Sequence, residues 1–368
     1  MKTINQRLMK SHLISGATNN AGFKYKSICY LMACVVGMGL SVNVQAQADI
    51  HFSQFYETSI LRNPSLTGVF TNDYKVGLYY RNQWSSISNP YTTVLISAES
   101  HVPISHTSDD FLSFGILAYS DKAGSIDQKI TTFYPALNYN KCINPNNNSY
   151  LSVGFTGGYV QYSFDPSKAT FNNQYLNGNF NPVNPSMENL PNATMTIWDL
   201  GAGINYNVSG GVDNRVTFIA GVSGYHFTQP KFSYYQKTGI TENMRLNANT
   251  TLGVMVNDNI SFQLQGNAAM QGTYLEIMGG GLVNWTQTTG NMSNVFVLTG
   301  GLFYRYGDAI IPVAKVRYQH LALGVSYDVN LSSLKEASNL QGGAEISLFL
   351  IGDFSDKGIS RKTICPKF

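Results

Sequence analysis

Charged residues and cysteines are both scarce in this 368-residue sequence. Only 12% of the residues are charged, whereas 43% are hydrophobic, so the chain lacks the lysine and glutamate that cover an ordinary soluble domain. Two of the four cysteines, Cys29 and Cys34, lie close to the N-terminus. The other two, Cys142 and Cys365, are too few for a disulfide scaffold and lack the paired spacing of a zinc site. The sequence leaves undecided whether Cys142 and Cys365 form one disulfide bond.

Signatures of catalysis and of cofactor binding are missing as well. The sequence contains neither a G-x-S-x-G nucleophile turn nor a P-loop. No cluster of lysine and arginine with interleaved aromatics follows residue 48, which argues against nucleic-acid binding. We therefore expect no enzyme, no cofactor and no metal, although a triad assembled from distant residues would leave no such motif. The later histidines, which show no metal-ligand spacing, are His51, His101, His106, His226 and His320.

The N-terminus has the features of an export signal. Five basic residues precede any acidic residue, and residues 28–44 form an apolar stretch interrupted by small residues. The sequence predicts a signal peptide over residues 1–46, with cleavage after Ala46 or Ala48, where small residues meet the needs of a signal peptidase. An uncleaved anchor is one alternative, but the stretch is short for a spanning helix. A lipid site at Cys34 is another, although the chain stays apolar beyond it.

Removing this signal changes the charge balance of the chain. The signal carries five of the 24 basic residues and none of the 21 acidic ones, which leaves 19 basic residues against 21 acidic ones. The pI of about 8.5 for the whole sequence therefore says nothing about an anionic partner. No linker, repeat or composition shift divides the remaining chain, so the sequence predicts one domain.

Alternation of apolar and polar residues indicates a membrane barrel rather than a soluble β-sandwich. From Tyr74 to Trp84, apolar and aromatic residues fall on one face, and lysine, glycine, arginine and glutamine on the other. From Leu321 to Val329, leucine, valine and tyrosine alternate with alanine, glycine, serine and aspartate. A sandwich would expose lysine and glutamate on its outer face, whereas here the second face is small and polar. Tyr80 and Trp84 also match the aromatic girdles at membrane interfaces.

Segments of this kind predict an all-β, antiparallel transmembrane β-barrel of about 14 strands, of the outer-membrane type, over residues 73–351. Their lengths suit a tilted crossing of the bilayer. Because single-chain bacterial barrels have even strand numbers, both ends of this one should face the periplasm. Residues 165–195 and 228–244 then become outer loops, and residues 257–259 a tight periplasmic turn. The predicted strands are residues 73–84, 91–102, 111–121, 129–141, 149–163, 196–207, 215–227, 245–256, 260–271, 274–285, 294–306, 309–319, 320–330 and 341–351.

Three stretches of the sequence carry a family resemblance. The first is His51-Phe52-Ser53-Gln54-Phe55-Tyr56, followed by Asn63-Pro64-Ser65-Leu66-Thr67-Gly68. The second is Tyr80-Arg81-Asn82-Gln83-Trp84 with Pro90-Tyr91-Thr92, and the third runs from Ser326-Tyr327-Asp328 through Ser333-Leu334 and Ala337-Ser338 to Glu345-Ile346-Ser347-Leu348. Their order and spacing resemble the PorP/SprF family of the type IX secretion system, found in Bacteroidetes. Each motif alone is weak, but the three together are specific.

This resemblance implies an outer-membrane component, without chemistry of its own, that helps to secrete or attach particular surface proteins. The implied partners are an exported client such as a large adhesin, other envelope components of the same system, and outer-membrane lipid. The alternative function is a general porin or small-molecule transporter, which shares the alternation but not the three stretches. An outer-membrane hydrolase ranks third.

Several charged residues fall on the polar face of their predicted strands. Placing a lysine or arginine on the lipid side at mid-membrane would cost about 2–4 kcal/mol, so these residues should point into the lumen. They would form a selectivity lining or docking ring for a partner or, as we favour, a structural network of paired charges. The residues are Lys75, Arg81, Glu99, Lys315, Arg317, Asp328 and Glu345.

The segment that precedes the first strand, residues 47–72, lacks strict alternation. It contains Asn63-Pro64, and a proline disfavours helix at the residue before it. A lumen plug, a periplasmic docking strand and a plain structural latch all fit this segment. The tail, residues 352–368, is expected in the periplasm. The candidate partner-docking residues are His51, Phe52, Gln54, Phe55, Tyr56, Asn63 and Pro64.

Overall fold

A computed structural model describes residues 49–354, apart from residues 87–88, 105–107, 177, 189–191, 235–238, 289–294 and 334. The predicted signal peptide, the alternative lipid site at Cys34 and nearly all of the predicted tail lie outside the described residues, as do Cys365 and His106. Contacts divide the chain into two units, residues 1–45 and 46–368, and only the second is described here. No helix in the described part is long and apolar enough to cross a membrane.

Fourteen of the strands form one closed antiparallel barrel. The first strand pairs with the last, from Tyr74 opposite Gly352 to Gln83 opposite Gly343, and this pairing closes the wall. The predicted fold class and strand count are confirmed. The barrel strands are β1 Tyr74–Gln83, β2 Tyr91–Pro103, β3 Phe111–Ala123, β4 Gln128–Asn144, β5 Ser149–Ser163, β8 Thr194–Gly210, β9 Val216–Tyr225, β10 Arg245–Met255, β11 Ile260–Gln271, β12 Tyr274–Thr288, β13 Val295–Arg305, β14 Ala309–Tyr318, β15 Leu321–Asn330 and β16 Gln341–Gly352. Two short strands, β6 Tyr175–Leu176 and β7 Asn179–Phe180, form a separate hairpin.

Several strands extend further than the alternation predicted, and β8 and β12 are examples. β8 begins two residues before the predicted segment 196–207 and ends three residues after it, and β12 continues past residue 285. Backbone pairing persists in both cases, as between Ser163 and Thr194. Outside the hydrocarbon layer, outward side chains no longer need to be apolar, so the hydrophobic pattern fades before the hydrogen-bonded ladder ends.

The side chains of the barrel wall point as the alternation predicted. In β1, the outward residues Leu78 and Tyr80 are 46% and 43% exposed, whereas Tyr79 and Arg81 between them are 2% and 1% exposed. Lipid would cover the outward face in a membrane. The interior is less uniformly small and polar than the sequence suggested, because large residues such as Phe349 also point inward and are buried.

The two rims of the barrel differ in the length of their connections. β1 begins and β16 ends at one rim, which we call the terminal rim. Its described turns are short, as at residues 145–148, 256–259 and 319–320. The opposite rim, the loop rim, carries the long connections 164–193 and 226–244. Short turns on the periplasmic side and long loops outside are typical of outer-membrane barrels, which agrees with a periplasmic terminal rim.

Residues 49–72 lie inside the barrel, and we call this segment the plug. It starts at the loop rim, where the Asp49 amide donates to Gln271 at 3.0 Å, and it reaches the terminal rim, where β1 begins. Three single turns of helix give it shape: the 3-10 turns Phe55–Glu57 and Pro64–Leu66, and the α-helix α1 Ser59–Arg62. Asn63 is extended (φ −165°, ψ 120°), as the proline after it requires. A second short helix, α2 Lys335–Ser338, lies in the loop before β16.

Candidate functional site in the barrel lumen

The plug is bound by the barrel wall on all sides. Its backbone and side chains hydrogen-bond to residues of β2, β4, β10, β14 and β16. A chain segment that is tied to opposite walls cannot shift toward one wall without breaking bonds to the other. The wall residues that make these five contacts are Glu99, Asn138, Asn249, Lys315 and Glu345.

The first anchor is a buried group of two arginines and two carboxylates around Ser53. Arg81 bonds Glu345 and, at 3.1 Å, Asp328, while Arg305 bonds Asp328 at 3.0 Å. The Ser53 hydroxyl accepts from Arg305 at 2.7 Å and donates to Asp328. All four charged side chains are at most 3% exposed. Because the charges balance, the group can stay buried, and Ser53 ties the plug to it.

Gln54 extends this anchor along the wall. Its backbone N–H donates to Glu345 at 2.9 Å, and its side-chain oxygen accepts from Ser347 at 2.6 Å. The side-chain nitrogen donates to Ser326 at 3.2 Å. Gln54 is 1% exposed, and both polar atoms of its side chain have hydrogen-bond partners, as buried polar groups require.

His51 lies beside the same arginines. Burial, together with the charges of Arg81 and Arg305, holds the pKa of His51 well below its usual range. The ring is therefore neutral at physiological pH, and its 3.6 Å contact with Glu276 is not an ion pair. A neutral ring nitrogen can instead accept from Arg81, which lies 3.2 Å away.

The second anchor is Glu57, which serves two lysines at once. Its carboxylate contacts Lys75 at 2.8 Å and Lys315 at 2.5 Å. Burial by itself would raise the pKa of Glu57, but Lys315 and Lys75 outweigh it and lower the pKa to about 2. Both lysine ammonium groups also lie over the Phe349 ring, at 4.8 and 4.7 Å from its centroid. The backbone carbonyl of Glu57 accepts from the Tyr79 hydroxyl at 2.8 Å.

The third anchor is Asn63, which is fully buried. Its amide nitrogen donates to Asn249 at 2.9 Å, and its oxygen accepts from the Ser65 backbone at 3.0 Å. The wall has glycine where the plug comes closest. A Cβ at Gly203 would overlap the Asn63 side chain, and one at Gly154 would overlap the backbone after Pro64. Glycine within a strand permits this close approach of a second backbone.

Aromatic rings fill the space between these anchors. Phe55 meets Phe303 edge to face at 5.5 Å between ring centroids, and Tyr56 stacks on the same ring at 5.3 Å. On the other side of the plug, Phe52 lies 5.9 Å from Tyr79. Phe52 and Phe55 are 3% and 6% exposed. The plug therefore has a packed apolar component as well as ionic anchors.

Arg62 differs from the other buried charges because it has no acidic partner among the described residues. Its guanidinium donates to the Gln265 side chain at 3.3 Å and to the carbonyls of Thr250 and Gly266 at 3.2 and 3.1 Å. The Nε atom has no hydrogen-bond partner. Burial lowers the pKa of Arg62 to about 9, so the group is charged at neutral pH and its charge is not neutralised by a neighbouring carboxylate.

A histidine and carboxylates converge where the plug enters at the loop rim. His226 contacts Asp49 at 2.8 Å and Asp199 at 3.0 Å, and Arg245 contacts Asp49 at 3.4 Å. Asp49, His226 and Glu242 place potential metal ligands within 4.8 Å of one another. Burial would lower the pKa of His226, but Asp49 and Asp199 raise it to about 10. A protonated His226 between two carboxylates forms ion pairs with both, and we call this group the ionic latch.

The seven charged residues predicted to face the lumen all lie inside the barrel. They do not form one network. Arg81, Asp328 and Glu345 share the Ser53 anchor, and Lys75 and Lys315 share Glu57. Glu99 accepts from the Gly68 backbone at 2.9 Å, and Arg317 donates to the Gln319 carbonyl at 2.9 Å.

The candidate docking residues of the plug face the wall rather than open solvent. Phe52, Gln54, Phe55, Asn63 and Pro64 are buried, and His51 and Tyr56 are partly exposed. Their role in docking stays a prediction. In the arrangement described here, the buried ones can meet a partner only if the plug moves.

Sequence reasoning missed Glu57, Arg62, Arg305 and the Asp49 latch. A signal for Glu57 did exist, because the predicted lumen charges comprised four basic residues and three acidic ones, which leaves a cation without a partner. The plug was the remaining source of a carboxylate close to β1. Nothing in the sequence pattern indicates the latch, since His226 and Asp49 are 177 residues apart.

Most of the sequence matches a known protein family. Residues 44–349 match the family described as type IX secretion system membrane protein PorP/SprF. The chain belongs to the PorP/SprF family. The resemblance of the three stretches is thereby confirmed, and so is the location of this PorP/SprF protein in the outer membrane as a β-barrel. None of the curated proteins compared matches the sequence significantly.

Several solved barrel structures are similar to this chain, at low sequence identity and with TM-scores below 0.5. The toluene transporter TbuX of Ralstonia pickettii is 9% identical with a TM-score of 0.43, over 80% of this chain and 93% of that chain. BamA from Haemophilus ducreyi, lacking POTRA domains 1-3, is 10% identical with a TM-score of 0.38, over 76% and 70%. CdiB from Acinetobacter baumannii is 8% identical with a TM-score of 0.40, over 76% and 60%. These likenesses concern the barrel alone.

Proposed function

We propose that this PorP/SprF protein assists the secretion or cell-surface attachment of particular client proteins, such as large adhesins, and that it does so with a closed lumen. Family membership supports a role in type IX secretion. The closed lumen and the role in binding partner proteins are supported by the plug, which the wall binds through three buried anchors. A barrel filled in this way offers rims and a plug to partner proteins rather than a channel to solutes.

The alternative is a general porin or small-molecule transporter. Such a protein needs a continuous aqueous path, as in the larger barrels whose lumen stays open. Here, buried anchors tie the plug to different walls of the lumen, which opposes such a path. The two hypotheses therefore predict opposite effects of deleting the gene on solute uptake.

Gene deletion with complementation tests the proposal. Deletion should remove a defined set of proteins from the surface of intact cells, measured by surface labelling and mass spectrometry. Uptake of small solutes and secretion of unrelated proteins should be unchanged. If uptake falls while the surface proteins remain, the transporter hypothesis takes the place of secretion.

Two plug residues refine the test. Substituting Phe52 and Phe55 by alanine removes buried rings, at about 3–5 kcal/mol each, and loosens the plug without altering a strand. If the plug contacts a partner, client display should fall while barrel abundance and heat-modifiable gel mobility stay near normal. Phe114→Ala with Phe155→Ala is the matched control, because both rings face lipid and are 49% and 57% exposed. If abundance falls in step with display, the plug is a structural latch only.

A further inference from the structure

A cavity of about 380 Å³ lies between the plug and the terminal rim. The plug supplies one side of it, from Tyr56 to Asn72, and β9 to β14 supply much of the other. Residues close to the terminal-rim ends of their strands, such as Val295 and Arg317, line it. The cavity is therefore a vestibule that reaches the rim we expect to face the periplasm, and its volume is that of a ligand pocket.

The charges that line the vestibule are unbalanced. Four basic residues line it, namely Arg62, Lys75, Lys315 and Arg317, and Glu57 is the one acidic residue among its described lining residues. Both lysines share the single Glu57 carboxylate. The lining residues thus carry a net charge of +3, in a site whose low-dielectric walls focus the field.

Neither arginine forms an ion pair in the described structure: Arg62 has no acidic neighbour, and Arg317 has the Asp353 carboxylate nearby, with Asn72 bonded to both. Arg62, 6% exposed, donates only to neutral oxygens of β10 and β11 and has an unpaired Nε. Arg317, which is half-buried, donates to the Gln319 carbonyl at 2.9 Å and to the Asn72 side chain at 3.5 Å. Buried charges in proteins are ordinarily paired. Arg62 without a carboxylate, and Arg317 without one in direct contact, leave the cavity able to accept anions from another molecule.

The C-terminal segment of the same chain does not have the required charge. Residues 355–368 contain Lys357, Arg361, Lys362 and Lys367 but only one acidic side chain, Asp356. A net positive segment is repelled by a positive vestibule. A separate molecule that carries negative charge fits the vestibule better than this segment does.

The layout of the vestibule favours a polypeptide over a small anion. The cations do not converge on one point, since Arg62 bonds to β10 and β11, while Arg317 lies on β14 beside Asn72. Apolar side chains such as Leu282 and Val297 lie between them on the wall. Several carboxylates spaced along a chain match this pattern, whereas a single phosphate does not.

We propose that the vestibule binds an acidic segment of a partner polypeptide that approaches from the terminal rim. Its carboxylates would accept hydrogen bonds from Arg317 and Arg62 and supply the counter-charge that Lys75 and Lys315 now share. This inference concerns the partner's chemistry and does not depend on which client, if any, the protein serves.

Binding of a defined peptide to the full mature protein in non-ionic detergent tests the proposal. The probe is a rhodamine-labelled peptide of six glutamates, and labelled peptides of six glutamines and six lysines are its comparators. Fluorescence anisotropy should show binding of the glutamate peptide alone, and high salt should weaken it by screening. Arg317→Gln should weaken binding about tenfold, as expected for a hydrogen bond to a charged group, and Arg317→Lys should restore most of it.

The matched control is Lys141→Gln. Lys141 lies on β4 near the same rim and pairs with Asp110 at 2.8 Å, outside the vestibule, so its substitution should leave binding unchanged. Equal affinity of the Arg317→Gln variant and the wild type overturns the proposal, as does equal loss in the Lys141→Gln variant. If inorganic phosphate at the peptide's own concentration displaces the peptide, the vestibule is a small-anion site and the proposal is wrong.

A second measurement uses the wild-type protein alone, so its outcome does not depend on whether a variant folds. The glutamate peptide should protect Lys315, but not Lys141, from an amine-acylating reagent, read by mass spectrometry of the wild-type protein. Unchanged labelling of Lys315 in the presence of saturating peptide would contradict the proposal.

Discussion

Replacing Glu57 by glutamine removes the one carboxylate between Lys75 and Lys315 while keeping the size of the side chain. The side chains of Glu57 and Lys75 are 9% and 12% exposed, and that of Lys315 is 19% exposed. Loss of one partner from a buried pair costs about 3–5 kcal/mol, because a charge stays buried without compensation. Since Lys315 retains some contact with water, we expect about 3 kcal/mol. The equilibrium for opening the plug should rise about 100-fold at this value.

Hydrogen exchange measures this opening directly. The amides of residues 53–68 should exchange about 100-fold faster in the Glu57→Gln variant at neutral pH, whereas amides in the strands should be unaffected. The pKa of Glu57 is lowered to about 2, so its stabilising effect is fully present above the ordinary value of 4.5 and is lost as the pH falls toward 2. Wild-type protein at neutral pH is therefore the correct reference.

Two further variants make the result specific. Adding Lys315→Gln to Glu57→Gln removes one uncompensated cation and should recover part of the loss. Asp110→Asn breaks an ion pair with Lys141 that lies on the wall and does not touch the plug, so exchange in the plug should not change. If Glu57→Gln leaves exchange in the plug at the wild-type rate, the anchor described here does not hold the plug.

Three other outcomes are expected. Gly203→Val places a side chain where Asn63 lies and should release the plug, seen as new conductance steps in planar bilayers; a silent bilayer would contradict the close packing. Burial, reinforced by nearby carboxylates, raises the pKa of Glu242 from 4.5 to about 7, so its destabilising effect begins as the pH rises above 4.5 and is complete above 7. Glu242→Gln should slow exchange at the start of the plug about tenfold at pH 8 and leave it nearly unchanged at about pH 4, below the ordinary pKa; equal effects at both pH values would refute the titration. Leu78→Lys, at mid-strand on the lipid face, should cost about 2–4 kcal/mol of stability in a urea titration of protein refolded into vesicles, and no loss would mean that Leu78 does not face lipid.

The strands of this protein could be read from its sequence because their pattern is local. Leu78 and Tyr80 alternate with Tyr79 and Arg81 over a few neighbouring residues, and lipid on one side and the lumen on the other impose that period of two. The extended conformation of Asn63 is local as well, since the ring of Pro64 imposes it. The fourteen strands, and the direction in which their side chains point, follow from such short-range constraints.

The plug and its anchors became visible only with the tertiary structure. Glu57 and Lys315 are 258 residues apart, and no period in the sequence relates them. Whether Lys315 pairs with a carboxylate on a neighbouring strand or with one inside the lumen depends on how the barrel closes around residues 49–72. Closure of β1 on β16 joins the first and last strands of the barrel, and the charges of the wall then meet those of the plug. The long-range ion pairs depend on that closure, so only the tertiary structure decides them. The strands depend on neighbouring residues alone, so the sequence by itself determines them.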